Sequence, residues 1–137
     1  MKVAMYIAVI ALVLIVVGIA YVRLAPTDVT RWHQAVEARV SSDLPSGAIR
    51  VIAADEAALA RVDAAARDLP RTRVLAGSVE EGRITYVTRS AMIGFPDFTT
   101  IEYSDGQLKM FARLRFGYLD MGVNAKRLQG LLAAVEG

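Results

Sequence analysis

Between Phe95 and Arg127 the chain gathers the side chains best suited to holding an anion or moving a proton. Asp97 follows Phe95 and Pro96. Arg113 and Arg115 alternate along one face of an apolar–polar stretch. Asp120, Asn124 and Arg127 come in quick succession after it. Together with Arg89 they make up the candidate ligand-binding set. Arginine forks grip carboxylates and phosphates through paired hydrogen bonds. If a helix starts near Met121 to Val123, Asn124 and Arg127 are three apart at its N-terminal end, where free N–H groups and the dipole favour an anion.

The same residues also have plainer uses. Arg89, Lys109, Arg113 and Arg115, with Glu102 as counter-charge, can form a solvated sheet face whose ion pairs contribute about 1 kcal/mol or less each. Asp120 can be the cap of the helix that follows it. Gly94 to Asp97 can be a turn in which Phe95 fills core and Asp97 bonds locally.

Most catalytic toolkits have no counterpart here. There is no cysteine, which excludes disulfides, thiolate chemistry and cysteine-ligated zinc. His33 is the single histidine, with no second histidine or nearby acid to make a metal or triad pattern. No phosphate loop and no serine in a nucleophile context occurs. No catalytic residue, metal ligand or cofactor is therefore assigned, and an enzyme would have to work with Asp97, Asp120 and the arginines. The sequence pI of about 9.1 suggests nucleic acid. However, Lys2 and Arg23 flank an apolar leader, and from Leu24 onward the 14 acidic residues of the chain are matched by as many basic ones. A domain near neutrality lacks the footprint of a phosphate-backbone binder, so no nucleic-acid partner is expected.

The elements that position these residues follow from hydrophobic period. From Leu108 to Phe116 apolar residues alternate with Lys109, Phe111, Arg113 and Arg115, a half-buried strand. Leu128, Leu131, Leu132 and Val135 then recur at helical spacing, after a corner containing Gly117, Asp120 and Gly122. Upstream, strands are predicted at Thr72 to Val79, Arg83 to Met92, Asp97 to Ser104 and Gln107 to Phe116. Asp105-Gly106 is the strongest hairpin signal between them. Leu59, Val62, Ala66 and Leu69 mark a helix capped by Asp55 and ended by Pro70. Short connections imply an antiparallel meander. The expected fold is α+β, a four-stranded meander flanked by two helices in the order α-β-β-β-β-α over residues 55–137. Residues 24–54 read as a connector, with Ile49 to Ile52 as a short extra edge strand. Trp32 within it either anchors at a membrane interface or folds back on the domain.

Val3 to Val22 carries no charge. At about 1.5 Å per residue it spans roughly 30 Å, the thickness of a bilayer's hydrocarbon core. Residues 1–23 are thus expected to be a transmembrane anchor with the bilayer as partner through residues 3–22. Tyr6 and Tyr21 sit near the headgroup levels. A cleaved signal peptide is the alternative, Gly18 and Ala20 being small residues at suitable offsets, although the apolar run exceeds a typical signal core. A buried core helix is the third. Lys2 favours an outward domain, whereas Arg23, Arg31 and Arg39 favour a cytoplasmic one, and the count leans slightly inward.

Leu75 to Ser90, Gly94 to Asp97 and Arg113 to Arg127 together resemble a bacterial family of uncharacterised proteins, domain of unknown function 1499. The similarity covers roughly Ala54 to Val135 and is most specific at Phe95-Pro96-Asp97 and from Asp120 to Arg127. Tyr21 to Pro26 and Arg31 to His33 resemble its membrane-anchored members. Where that family tends to carry a serine–arginine repeat, this chain has Ala112 to Arg115. The resemblance names no activity. It implies an exported domain, which turns the expected orientation outward, to a single-pass protein of the bacterial inner membrane with a periplasmic domain. The function expected is a non-catalytic binding or accessory module of the cell envelope, recognising an anionic ligand or an envelope protein. A structural subunit of a membrane complex and an enzyme are the alternatives.

Overall fold

The computed structural model describes residues 1–137. Helix α1 (Lys2–Leu24) is long and apolar enough to cross a membrane, and none of its residues is buried. It is therefore not the core helix of the domain. A single turn, α2 (Val29–Trp32), follows, and then the strands β1 (Ser42–Leu44) and β2 (Gly47–Ala53). Next come α3 (Ala58–Arg67), β3 (Thr72–Ser78), β4 (Arg83–Arg89), β5 (Pro96–Ser104), β6 (Gln107–Leu114) and α4 (Val123–Leu132).

The class is α+β with an antiparallel sheet, as expected, but the sheet has six strands rather than four, in the order β1-β2-β6-β5-β4-β3. The two additional strands come from the stretch read as a connector. Ile49 to Ile52 is part of a seven-residue strand that pairs along β6 from Gly47↔Arg113 to Ala53↔Gln107, and β1 forms the edge outside it. Arg50, in the middle of β2, obscured the pattern. Its charge is met across the hairpin by Asp43 at 2.7 Å, so a strand with a charged centre packs on the helix side. The close approach of β2 to β6 needs Gly47, since a Cβ there would lie 2.3 Å from the Ala112 carbonyl oxygen.

One face of the sheet carries the core. Leu108, Met110 and Ala112 of β6, Ile101 of β5 and Ile84 and Tyr86 of β4 meet Leu59, Val62 and Ala66 of α3 and Leu128 and Leu131 of α4. Each large side chain buried in this way contributes about 1.5–3 kcal/mol. The alanines of α3 let the helix lie close to the strands. Tyr86 keeps its hydroxyl satisfied against Asp63, and burial together with that bond pushes its pKa up. Asp55 does not cap α3. Its carboxylate is taken by Arg61 at 3.0 Å, while its backbone carbonyl accepts from Ala58.

The opposite face is neither solvated nor open. Residues 25–36 cross it as a strap. Asp28 starts the α2 turn by accepting from the Thr30 and Arg31 amides. Trp32 folds back onto the domain and stacks on Phe98 with ring centroids 4.2 Å apart. His33 Nδ1 shares a 2.8 Å hydrogen bond with Thr85 Oγ1, and the Val36 amide donates to Glu102. Gly77 makes room for the strap. Its φ is +88°, and a side chain there would meet the Arg83 carbonyl oxygen at 2.1 Å and His33 Cε1 at 2.7 Å.

Candidate functional site

Alternation along the strands divides the predicted residues between the two faces. Asp97 pairs with Thr88 and Leu114 on the helix side, where α4 supplies Asn124 and Arg127. Arg89, Arg113 and Arg115 point to the strap side. The structure therefore brings together Asp97, Asp120, Asn124 and Arg127, with Arg89 reaching the group from the end of β4. It leaves Arg113 and Arg115 elsewhere.

Arg113 is a fastener of the strap. Its guanidinium donates to the Trp32 carbonyl at 2.6 Å, to Thr100 Oγ1 at 2.9 Å and to the Phe111 carbonyl at 2.9 Å, between the Trp32 and Phe111 rings. Burial lowers its pKa to about 10. Arg115 donates to the Pro26 carbonyl at 2.7 Å and to Thr27 Oγ1 at 3.3 Å. Glu102 pairs with Arg83 at 2.6 Å and not with the other arginines of that face.

On the helix side, Arg127 meets Asp97 at 3.3 Å, with side chains only 13% and 17% exposed. Arg127 also donates to Asn124 Oδ1. Burial raises the Asp97 pKa, and the Arg127 charge opposes that rise without cancelling it. Asn124 is fully buried. Its amide lies near enough to Asp97 to favour the carboxylate, yet Nδ2 reaches no acceptor in hydrogen-bond geometry. Asp120 accepts from the Gly122 amide at 2.9 Å and the Asn124 amide at 3.1 Å, covering free N–H groups at the start of α4. Asp120 is not itself the N-cap, which is Gly122, but it holds the start of α4 from two positions before that residue, with both oxygens engaged. Met121 and Gly122, at φ 55° and 79°, make the corner that allows it.

Asp97, Asp120 and Arg127 line a pocket of about 440 Å³ where β4 and β6 end and β5 and α4 begin. Asp97, Asp120, Arg89 and Arg127 share its walls with Arg71, Thr88 and Ser90, and its apolar side is Phe95, Leu114, Phe116, Leu119 and Val123. Sequence reasoning missed Arg71. It follows Pro70 at φ 53°, outside any strand face, so alternation could not place it. Within the structure it donates only Nε, to the Arg89 carbonyl at 2.9 Å, and has no carboxylate partner. Arg89 donates to the Gly94 carbonyl at 2.9 Å and the Val22 carbonyl at 3.3 Å. No carboxylate pairs with it either, and burial along with the nearby charges of Arg73, Arg115 and Arg23 lowers its pKa.

An apolar N-terminal helix joined to an α+β domain, with a mixed basic and apolar pocket close to the helix end, defines a small domain with an N-terminal segment fit to anchor it. The chain belongs to the family described as Protein of unknown function (DUF1499), whose model matches residues 23–135. That span starts at the end of α1 and takes in the strap and both additional strands. No curated protein and no solved structure matches the chain.

Proposed function

We propose that this protein is a membrane-tethered, non-catalytic binding module of the bacterial cell envelope, its domain on the periplasmic side of the inner membrane. Its pocket takes a ligand with an anionic head and a short apolar portion. The observation that carries this reading is the charge balance inside the pocket. Asp97 is paired with Arg127 and the Asp120 oxygens are engaged by backbone amides, so Arg71 and Arg89 have no salt-bridge partner, and the pocket keeps a formal surplus of one positive charge beside an aromatic and aliphatic wall. Guanidinium groups without a salt-bridge partner next to apolar surface suit a carboxylate or phosphate carried on a hydrocarbon stem.

The test is thermal unfolding of the full chain in phosphatidylcholine nanodiscs, with inorganic phosphate, decanoate and a single-chain alkyl phosphate as probes. The alkyl probes should stabilise the domain, by about 2.7 kcal/mol at a hundredfold excess over Kd, and inorganic phosphate should do so less. Arg89→Ala should abolish the effect. An equal response in Arg89→Ala, or none in the wild type, would remove the pocket from consideration.

Orientation has its own readout. Alkaline phosphatase fused after Gly137 should be active, because that enzyme forms its disulfides only in an oxidising compartment. An intact but silent fusion would place the domain in the cytoplasm, in line with the count of Arg23, Arg31 and Arg39.

A further inference from the structure

Of the ten large apolar side chains that stand exposed after α1, seven gather in two loops at one end of the domain, the others being Val29, Val40 and Leu44. Met92, at 88% exposure, Ile93 and Phe95 come from the β4–β5 loop. Tyr118 at 90%, Leu119, Met121 at 94% and Val123 come from the segment between β6 and α4. Exposed patches of this kind mark interaction surfaces. These two loops are also where α1 meets the domain. Arg23, the first charge after the apolar run, donates to the carbonyls of Ile93 at 2.9 Å and Met92 at 2.9 Å. Tyr21, two residues deeper in the helix, packs edge-on against Phe116 with centroids 6.0 Å apart. The residue that marks the edge of the hydrocarbon therefore holds the Met92 loop at its own level.

The charges around the patch match this position. Arg23, Arg71 and Arg89 line a groove of about 380 Å³ with Ser90, Ala91 and Gly94. None of the three forms a salt bridge, although arginines elsewhere in the domain pair with Asp43, Asp55, Asp63, Glu102 and Asp97. At the far end of the sheet the turns carry acids without a salt-bridge partner, Glu80 and Glu81 between β3 and β4 and Asp105 between β5 and β6, whereas the acids at the near end, Asp97 and Asp120, are held by Arg127 and by backbone amides. A second copy of the chain presenting the same face would bring like charges together. An anionic lipid surface would not.

We propose that this end of the domain is a membrane-contact face. The segments 91–95 and 116–123 enter the headgroup–acyl boundary of the bilayer that α1 crosses, and Arg23, Arg71 and Arg89 take lipid phosphates. Apolar and aromatic side chains favour that layer, and each arginine near an anionic surface adds to the attraction. The inference depends on α1 being retained as an anchor. It does not depend on the pocket holding a separate ligand.

The chain has no cysteine, so single nitroxide labels can be placed at will. The full chain is reconstituted in vesicles of phosphatidylethanolamine and phosphatidylglycerol, labelled through Met92→Cys or Met121→Cys, with Glu81→Cys and Asp105→Cys as far-end references. Labels at 92 and 121 should be more accessible to oxygen than to a water-soluble nickel complex, and those at 81 and 105 the reverse. Replacing phosphatidylglycerol with phosphatidylcholine, or introducing Arg71→Glu, should lower the docked-to-undocked ratio by about fivefold or more. Aqueous behaviour at 92 and 121 would overturn the proposal. So would immersion indifferent to both lipid charge and Arg71→Glu, or spin–spin broadening between labels at 121, which would make the face a contact between copies.

Discussion

Arg127→Ala is expected to destabilise the domain by about 3 kcal/mol, a loss in the range found when one member of a largely buried ion pair is removed. The Asp97 carboxylate would lose its cation in a site that already raises its pKa by burial, and Asn124 would lose the donor to its Oδ1. The pH dependence follows from the sign of that shift. A carboxyl whose folded pKa lies above its unfolded value costs stability as pH rises through the interval between them, and removing Arg127 widens the interval. The deficit of the variant should therefore be largest at neutral pH and shrink as Asp97 becomes protonated. Urea unfolding of wild type and variant across that range checks it, with Asp97→Asn/Arg127→Met recovering much of the loss because no unpaired charge remains. A deficit independent of pH would mean that the side-chain volume of Arg127 matters and its charge does not.

Trp32→Ala should release the strap at a cost of about 3 kcal/mol or more, the scale for truncating a large, well-packed aromatic. The Trp32 ring is the lid over Phe98, which is wholly buried, and it forms one wall of the Arg113 site. Amide exchange should rise at His33 and Val36, whose N–H groups bond within the strap and to Glu102. It should change little in β5 and β6, which pair along their whole length. Exchange at Val36 as slow as in the wild type would show that His33 and Glu102 hold the segment without the indole.

Periodicity makes the helix-covered half of the fold legible in the order of residues alone. Leu108 to Leu114 and Ile84 to Thr88 alternate because one side faces a packed core, and Leu128, Leu131 and Val135 recur because one helix face does. β2 is only partly legible, because Arg50 interrupts its core face and the Asp43 that pairs with it is far from obvious in a turn-rich run. The strap is harder still. Nothing local in residues 25–36 says that their carbonyls will receive arginines 80 or more positions away in sequence, as Pro26 and Trp32 do. For the same reason Arg113 and Arg115 read as ligand groups. A surplus of guanidinium donors on a sheet face looks identical whether an anion or a peptide carbonyl is to be bound. Asp120, Asn124 and Arg127 are recognisable as neighbours because helix geometry fixes i, i+3 and i+4 relations, whereas Asp97, at the start of β5, joins them only through the fold. Arg71 lies outside any periodic element, and only the fold brings it in.

The strap also sets how far the domain can travel. Some 30 residues lie between α1 and the end of β2, and as a flexible chain they would let a domain roam roughly 30 Å from its point of attachment. Here almost none of that slack exists. Pro26 and Thr27 are held by Arg115, Trp32 by Arg113 and Phe98, and Val36 by Glu102. The leash is wound onto the body it restrains, so with α1 in a bilayer, as proposed above, the domain would search along the plane of the membrane and hardly at all away from it. Anything such a tethered domain meets would have to come to the lipid surface or already be there.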